Sequence, residues 1–498
     1  MYAIAIRRFS QNFLATLAIS SVAGVGLVLL SFHFGYWTTF WLFCGLPLGS
    51  FIILWGLQSA PAKLKSLTTH LRWWHFLWLF VFLSGQVFRI RDVQSIQANP
   101  LDFWALYRVI LMGIVAVVLV RRLVLRRTHW DKSFRQGLIG LVTGYAMVSL
   151  VSTLWSVYPM WTLYKSTEYL VDVALIAAVV VSVRTVQEFK TLFDFTWVLL
   201  SFLIGTVWLG VAVWPEGAII HQGFLGVQIQ GVLPAMETNG VGDLGAVLGI
   251  VALARLLFPT KHRRFYLVVF LISMVTLVLS QSRSPLTGFL VASVLILFTA
   301  RRIGVIALSI VLIPAVLSLT HFGDLFWEFF QRGQTSTEFE SLSGRVPMWE
   351  SGWAVFKEQP LTGYGGYAGG RFAALANLRD TTWSSTLNTW LEVLLGTGLL
   401  GLLPLLGAFF GTWMMLLRSV PGAGNYSLVQ RLQVEAIGVL AVHSARSMFS
   451  VELIWHPPLT FLLVVGYAEL LRRAYREQVY EANYDVPTIS HRVVNAQS

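Results

Sequence analysis

Stretches of about twenty consecutive apolar residues recur along nearly the whole chain, and no other feature limits the possible folds as strongly. Each is long enough to cross a hydrocarbon core of roughly 30 Å as a helix. Lipid offers a backbone no hydrogen-bond partners, so spans of this kind are helical. Composition points the same way. Of 498 residues, 56% are hydrophobic and only 12% charged, about half the charge of an ordinary soluble domain. The 20 Trp and 34 Phe suit aromatic belts at two membrane interfaces. The expected fold is an all-α polytopic membrane protein. No cleavable leader is expected. The single cysteine, Cys44, falls in an apolar run, cannot form a disulfide within the chain and reads as a packing residue.

Candidate spans fall at 12–32, 37–57, 73–88, 105–120, 137–155, 162–183, 192–214, 239–258, 265–281, 285–300, 303–320, 388–417, 432–453 and 459–472. Twelve to fourteen crossings are expected, the short 73–88, 105–120 and 459–472 being the marginal ones. Alternate connections are basic. They hold Lys63, Lys65 and Arg72, then Arg121, Arg122, Arg126, Arg127, Lys132 and Arg135, then Lys261, Arg263 and Arg264, then Arg301 and Arg302. Arg472, Arg473 and Arg476 follow the last span. Cytoplasmic loops retain Lys and Arg, so both termini should be cytoplasmic and the polar segment 321–387 should face outward. Segment 215–238 and the turn near Arg283 should face outward with it. The organisation expected is an N-terminal bundle over 1–320, an outward loop with short helices over 321–387, C-terminal spans over 388–476 and a polar, disordered tail over 477–498. The net charge of +12 reads as topology and contact with lipid headgroups rather than nucleic acid.

Residues able to carry chemistry concentrate on the outward side. Arg283 stands in Ser280-Gln-Ser-Arg-Ser-Pro285. A guanidinium among hydroxyls suits a phosphate group, which its planar fork binds in a bidentate manner. Arg345, in Ser-Gly-Arg, precedes a helix start marked by Pro347, with Trp349 and Trp353 one turn apart. A helix start and aromatics suit an anion and a sugar ring. Tyr364, Tyr367 and glycines 363, 365, 366, 369 and 370 read first as a structural turn and second as a gating loop. His321, His443 and His456 are bases by residue type alone. Glu392 follows Asn388 by one helical turn and is expected to pair with Arg283 or Arg345, or to act on a hydroxyl. No zinc-type spacing, GxSxG or phosphate-loop motif occurs.

Several short pieces occur in a fixed order: Trp155-Ser-Val-Tyr-Pro159 with Leu163-Tyr-Lys-Ser, Asn239-Gly, Ser282-Arg283-Ser284, Ser343-Gly-Arg345 with Trp349, Pro360 with Gly363-Tyr-Gly, and Asn388-x-Trp390-Leu-Glu392 with Gly396-x-Gly398. In these pieces the chain resembles the O-antigen ligase and polysaccharide polymerase family of bacterial membrane glycosyltransferases. The resemblance implies transfer of a glycan from an undecaprenyl-diphosphate carrier to an acceptor hydroxyl, a glycan or lipid, outside the inner membrane. It implies no metal and no cofactor, arginines on the diphosphate, and a histidine base just before the Asn-x-aromatic-Leu segment. Leu387 stands at that histidine's place, and Gln230-Gly231 stands where an arginine would be. The base is open among Glu392, His321 or none. The candidate catalytic positions are Arg283, Arg345, Glu392, Leu387 and His321. The candidate substrate-binding residues are Asn239, Ser282, Ser284, Trp349, Tyr364, Asn388 and Trp390.

Two other classes fit the composition. One is a solute or inorganic carbon transporter of the same fold, weakened by the small number of carboxylates in the apolar runs and by the absence of paired, broken spans. The other is a scaffold of an envelope assembly, which needs only the fold.

Overall fold

The computed structural model describes residues 70–87, 102–126, 137–222, 225–302, 328, 331, 341–376, 385–418 and 427–484. Spans 12–32, 37–57 and 303–320, Cys44 and His321 lie outside the described residues. The chain divides into two compact units, one of Leu67–Thr260 with Val269–Ser498, the other of Met1–Ser66 with Lys261–Val268. Among the described residues, the helices of more than six residues are α1 (Trp73–Ser84), α2 (Phe103–Arg126), α3 (Gly137–Val151), α4 (Pro159–Ser182), α5 (Val186–Val213), α6 (Thr238–Leu256), α7 (Arg263–Leu279), α8 (Arg283–Thr299), α9 (Arg345–Glu358), α10 (Thr389–Leu417), α11 (Leu428–Ser447) and α12 (Leu459–Tyr484). The strands among the described residues are two-residue pieces in two small antiparallel pairs, β1 (Ile219–Ile220) with β2 (Gln228–Ile229) and β3 (Gly231–Val232) with β4 (Ala235–Met236). The chain is an all-α polytopic membrane protein.

Each candidate span within the described residues coincides with a helix, and five of the described helices are long and apolar enough to cross a bilayer. Three spans differ in detail. Segment 73–88 is helical for only 12 residues. The segment 432–453 leaves its helix at Ser447, and Met448–Pro458 continues without helix between α11 and α12. Segment 388–417 is not one straight rod. Gly398 has φ 60 and ψ −156, outside helical space. On a straight helix Trp390 and Phe409 would stand about 28 Å apart. Their rings meet at 5.1 Å instead, so the chain turns back at Gly398. Only glycine fits there, because a Cβ would lie 2.3 Å from the Leu361 carbonyl. Hydropathy reads both halves as one apolar run and cannot see the break. At the other end, α12 continues to Tyr484, past the expected start of the disordered tail at Glu477, because this stretch is rich in good helix formers.

Small residues allow close packing where lipid supplies no hydrophobic drive between helices. Gly144 lies under Pro404, Gly407 under Leu141 and Gly411 under Leu138. The order runs oppositely on the two helices, so α3 and the second half of α10 are antiparallel. The segment after Pro360 is wedged into the end of this pair. Tyr364 N–H donates to the Leu395 carbonyl and Gly365 N–H to that of Gly396, both at 2.8 Å, and Gly366 N–H donates to Ser152 Oγ at 2.8 Å. Gly363, Gly365, Gly366, Tyr367, Gly369 and Gly370 are buried. The segment is therefore a packed structural turn, the first of its two sequence readings.

The expectation of few carboxylates in the spans is corrected. Glu168, Asp172, Glu392, Glu435 and Glu469 are all 2% exposed or less. Three of them face cations, and Asp172 faces a histidine. Lys165 meets Glu168 at 2.8 Å, with Arg108 at 3.3 Å; His456 meets Asp172 at 2.7 Å; Arg255 meets Glu435 at 2.7 Å; Arg472 meets Glu469 at 2.6 Å. Removing one partner of such a pair typically costs about 3–5 kcal/mol. Lys165 and Arg472 stand three positions from their carboxylates on the same helix, whereas the fold brings Asp172 and Glu435 to partners far away in the sequence.

Candidate functional site

The turn between α7 and α8 begins the site. Ser280, Gln281 and Ser282 are buried, and Gln281 adopts φ 47. The β1–β2 segment covers this turn: Gln228 Nε2 donates to the Ser280 carbonyl at 2.7 Å, and Gln281 Nε2 donates to that of Val227 at 2.8 Å. The Ser282 hydroxyl donates to Asn239 Oδ1 at the start of α6. Arg283, half-buried, donates from Nη2 to Ser343 Oγ at 2.9 Å.

Ser343 belongs to a left-handed run, Leu342, Ser343 and Gly344, with φ of 51, 62 and 82. The run turns the chain into α9, whose first residue is Arg345. The Arg345 guanidinium lies 5.8 Å from the Phe449 ring centroid. One turn further, the Trp349 ring stands 6.1 Å from the same Phe449, and its Nε1 donates to the Thr386 carbonyl at 2.9 Å.

Thr386 leads into α10. Leu387 has φ 50, and Asn388 caps the helix by accepting from the N–H groups of Trp390 and Leu391. Asn388 Nδ2 donates to the Met448 carbonyl at 3.2 Å, and Thr389 Oγ1 donates to that of Ser450 at 2.7 Å. The segment after α11 is thereby fastened to the start of α10. The same segment holds a charge network. Arg446, at the end of α11 with its side chain 4% exposed, meets Asp243 of α6 at 2.6 Å and pairs closely with Glu452. Its Nη1 donates to Ser284 Oγ at 2.6 Å. His443 Nδ1 lies 3.2 Å from Glu452 Oε2, and His443 Nε2 lies 2.8 Å from Thr460 Oγ1.

Asn239, Ser282, Arg283, Ser284, Arg345, Trp349 and Asn388 are thus joined through direct contacts or one or two intervening residues, with Leu387 beside them. Tyr364 is elsewhere: its hydroxyl donates to Glu358 Oε2 at 3.0 Å, and burial with that carboxylate raises its pKa. Trp390 packs in the core against Phe409. Glu392 meets neither Arg283 nor Arg345. Its Oε2 accepts from Thr386 N–H at 3.0 Å and Thr386 Oγ1 at 2.8 Å, and it is 1% exposed. Asp243, Arg446, Phe449 and Glu452 are candidate site residues that the sequence did not single out. The available signals were weak: Asp243 follows Asn239 by one turn, and Arg446 follows His443 by three positions. Among the described residues, no group of three or more His, Cys, Asp or Glu is placed to hold a metal ion.

Fold and site together define a polytopic helical membrane protein with arginines, hydroxyls and aromatic rings gathered at the end of the bundle that carries the long polar loop. Residues 267–406 match the model of the O-antigen ligase family. This segment runs from α7 through Arg283, Arg345 and Asn388 into α10, and it is O-antigen ligase-like. The match supports a membrane glycosyltransferase-like ligase acting on a lipid-linked glycan. No curated protein matches the chain.

Proposed function

We propose that the protein transfers a glycan from an undecaprenyl-diphosphate carrier to an acceptor hydroxyl on a glycan or lipid at the outer face of the bacterial inner membrane. The observation that carries the reading is the hydrogen bond from Arg283 to Ser343. It joins the two arginine-bearing pieces of the O-antigen ligase segment across 60 positions. Arg283, Arg345, Ser282 and Ser284 then bind the diphosphate. Neutralising its charge makes it a good leaving group, which is electrostatic catalysis. Trp349 and Phe449 offer apolar faces to the sugar beside it. In this reading both termini are cytoplasmic, since the basic connections retain the opposite face.

The test is binding and transfer with purified protein and an undecaprenyl-diphosphate glycan. Arg283→Ala should weaken carrier binding at least about tenfold, the loss of one charge-assisted bidentate contact. Arg283→Lys should recover only part of it, because an ammonium lacks the planar fork. Equal binding by all three proteins would refute the phosphate role.

A second reading, a carrier of the same fold, draws on the break of α10 at Gly398 and on the ionisable cluster of half-buried Arg108 with buried Lys165, Glu168, Asp172 and His456. Broken helices and intramembrane charges are features of transport sites. Solute uptake into proteoliposomes, with no glycan transfer, would favour it.

A further inference from the structure

We propose that Glu452 is the proton acceptor of the transfer site, in the role that Leu387 cannot fill; the inference rests on the glycosyl-transfer reading above. Three observations carry it. Glu452 lies in Met448–Pro458, and that segment is fastened to the residues that follow Leu387 through Asn388 and Thr389. The start of the segment that carries Glu452 is thus fastened beside the place where the base is missing. Its side chain is 19% exposed, whereas that of Glu392 is sealed at 1% and committed to Thr386. It also belongs to an ordered relay. Arg446 holds Oε1, and His443 Nδ1 faces Oε2. His443 Nε2 faces the Thr460 hydroxyl. The network is satisfied when His443 donates from Nδ1 to Glu452 and accepts from Thr460 at Nε2. Arg446 also binds Ser284, next to Arg283, so acid–base group and diphosphate site share one guanidinium.

The step balances without a further reactant. The acceptor O–H gives its proton to the Glu452 carboxylate as its oxygen forms a bond to the anomeric carbon. The bond from that carbon to the phosphate oxygen breaks, and its electron pair leaves with the lipid diphosphate. The charged and titratable groups facing Glu452 are Arg446 and His443 from α11 and Asp243 from α6.

The experiment measures transfer from an undecaprenyl-diphosphate glycan and, separately, carrier binding, for wild type, Glu452→Gln, Glu452→Asp and Glu452→Ala. Glu452→Gln should lower transfer about 10²–10⁴-fold, the range of a general base, with binding unchanged. Glu452→Asp should recover part of the rate, and added formate should restore transfer to Glu452→Ala. A purely structural carboxylate would give no formate rescue. If wild type transfers and Glu452→Gln keeps its rate, the inference falls and the functional reading stands. If wild type neither binds the carrier nor transfers, the functional reading falls and takes the inference with it.

Discussion

Arg446 is where the packing and the site can be tested together. Its guanidinium, 4% exposed, stands between two carboxylates whose side chains are 18% and 19% exposed. Arg446→Met keeps the length and apolar stem but leaves Asp243 and Glu452 facing each other without a cation. Breaking a buried pair typically costs about 3–5 kcal/mol, and the lost hydrogen bond to Ser284 adds about 1. Partial exposure of both carboxylates brings the expected total to about 4 kcal/mol. At about 2.1 cal/mol/K per residue, 498 residues give an unfolding entropy of about 1 kcal/mol/K, and hence a fall in Tm of about 4 °C. Helices that persist in the membrane lower that entropy, so the measured fall should be at least this large. Thermal unfolding in lipid nanodiscs, followed by tryptophan fluorescence, reads it directly. The companion is Asp243→Asn, Arg446→Met and Glu452→Gln in one protein. It replaces the charges by neutral groups and should return to within about 1 kcal/mol of wild type. If the single variant melts with wild type, the network does not stabilise the bundle. If the triple variant melts as low as the single one, shape and not charge is the cause.

Gly398→Ala places a Cβ on a backbone conformation open essentially to glycine and against the Leu361 carbonyl, so it should cost more than about 2 kcal/mol; an unchanged Tm would contradict the break in α10. Asn388→Ala removes the α10 cap, worth about 1 kcal/mol, and the tie to Met448, so transfer should fall more than stability does; equal losses would argue for capping alone. Leu387→His should fold normally, because φ 50 suits histidine better than leucine. The imidazole should raise transfer and should restore it in a Glu452→Gln background. Assays of both proteins across pH 6 to 8 that show no gain would mean that position 387 does not reach the acceptor.

Much of the fold was legible because hydropathy and charge act locally. An apolar run near twenty residues must be a helix wherever lipid surrounds it, and this holds without knowledge of its neighbours. The motif pieces at 282–284, 343–345 and 388–392 were visible for the same reason, as short strings with local chemistry. Their contacts were not visible. Nothing in the string says that Arg283 reaches Ser343, or that Glu392 turns inward to Thr386.

The sequence alone determined that the chain is a helical membrane protein, where most helices run, and which polar segments hold arginines and hydroxyls. Tertiary structure decided the rest. It bent α10 at Gly398, wedged the glycine segment into the end of α3 and drew Met448–Pro458 alongside Asn388 and Thr389. It also brought Asp243, Arg446 and Glu452 together from 209 positions apart (452 − 243). Burial of a charge is tolerable only when a partner arrives from elsewhere in the chain. Such pairing is a property of three-dimensional packing, and no single window of sequence contains it.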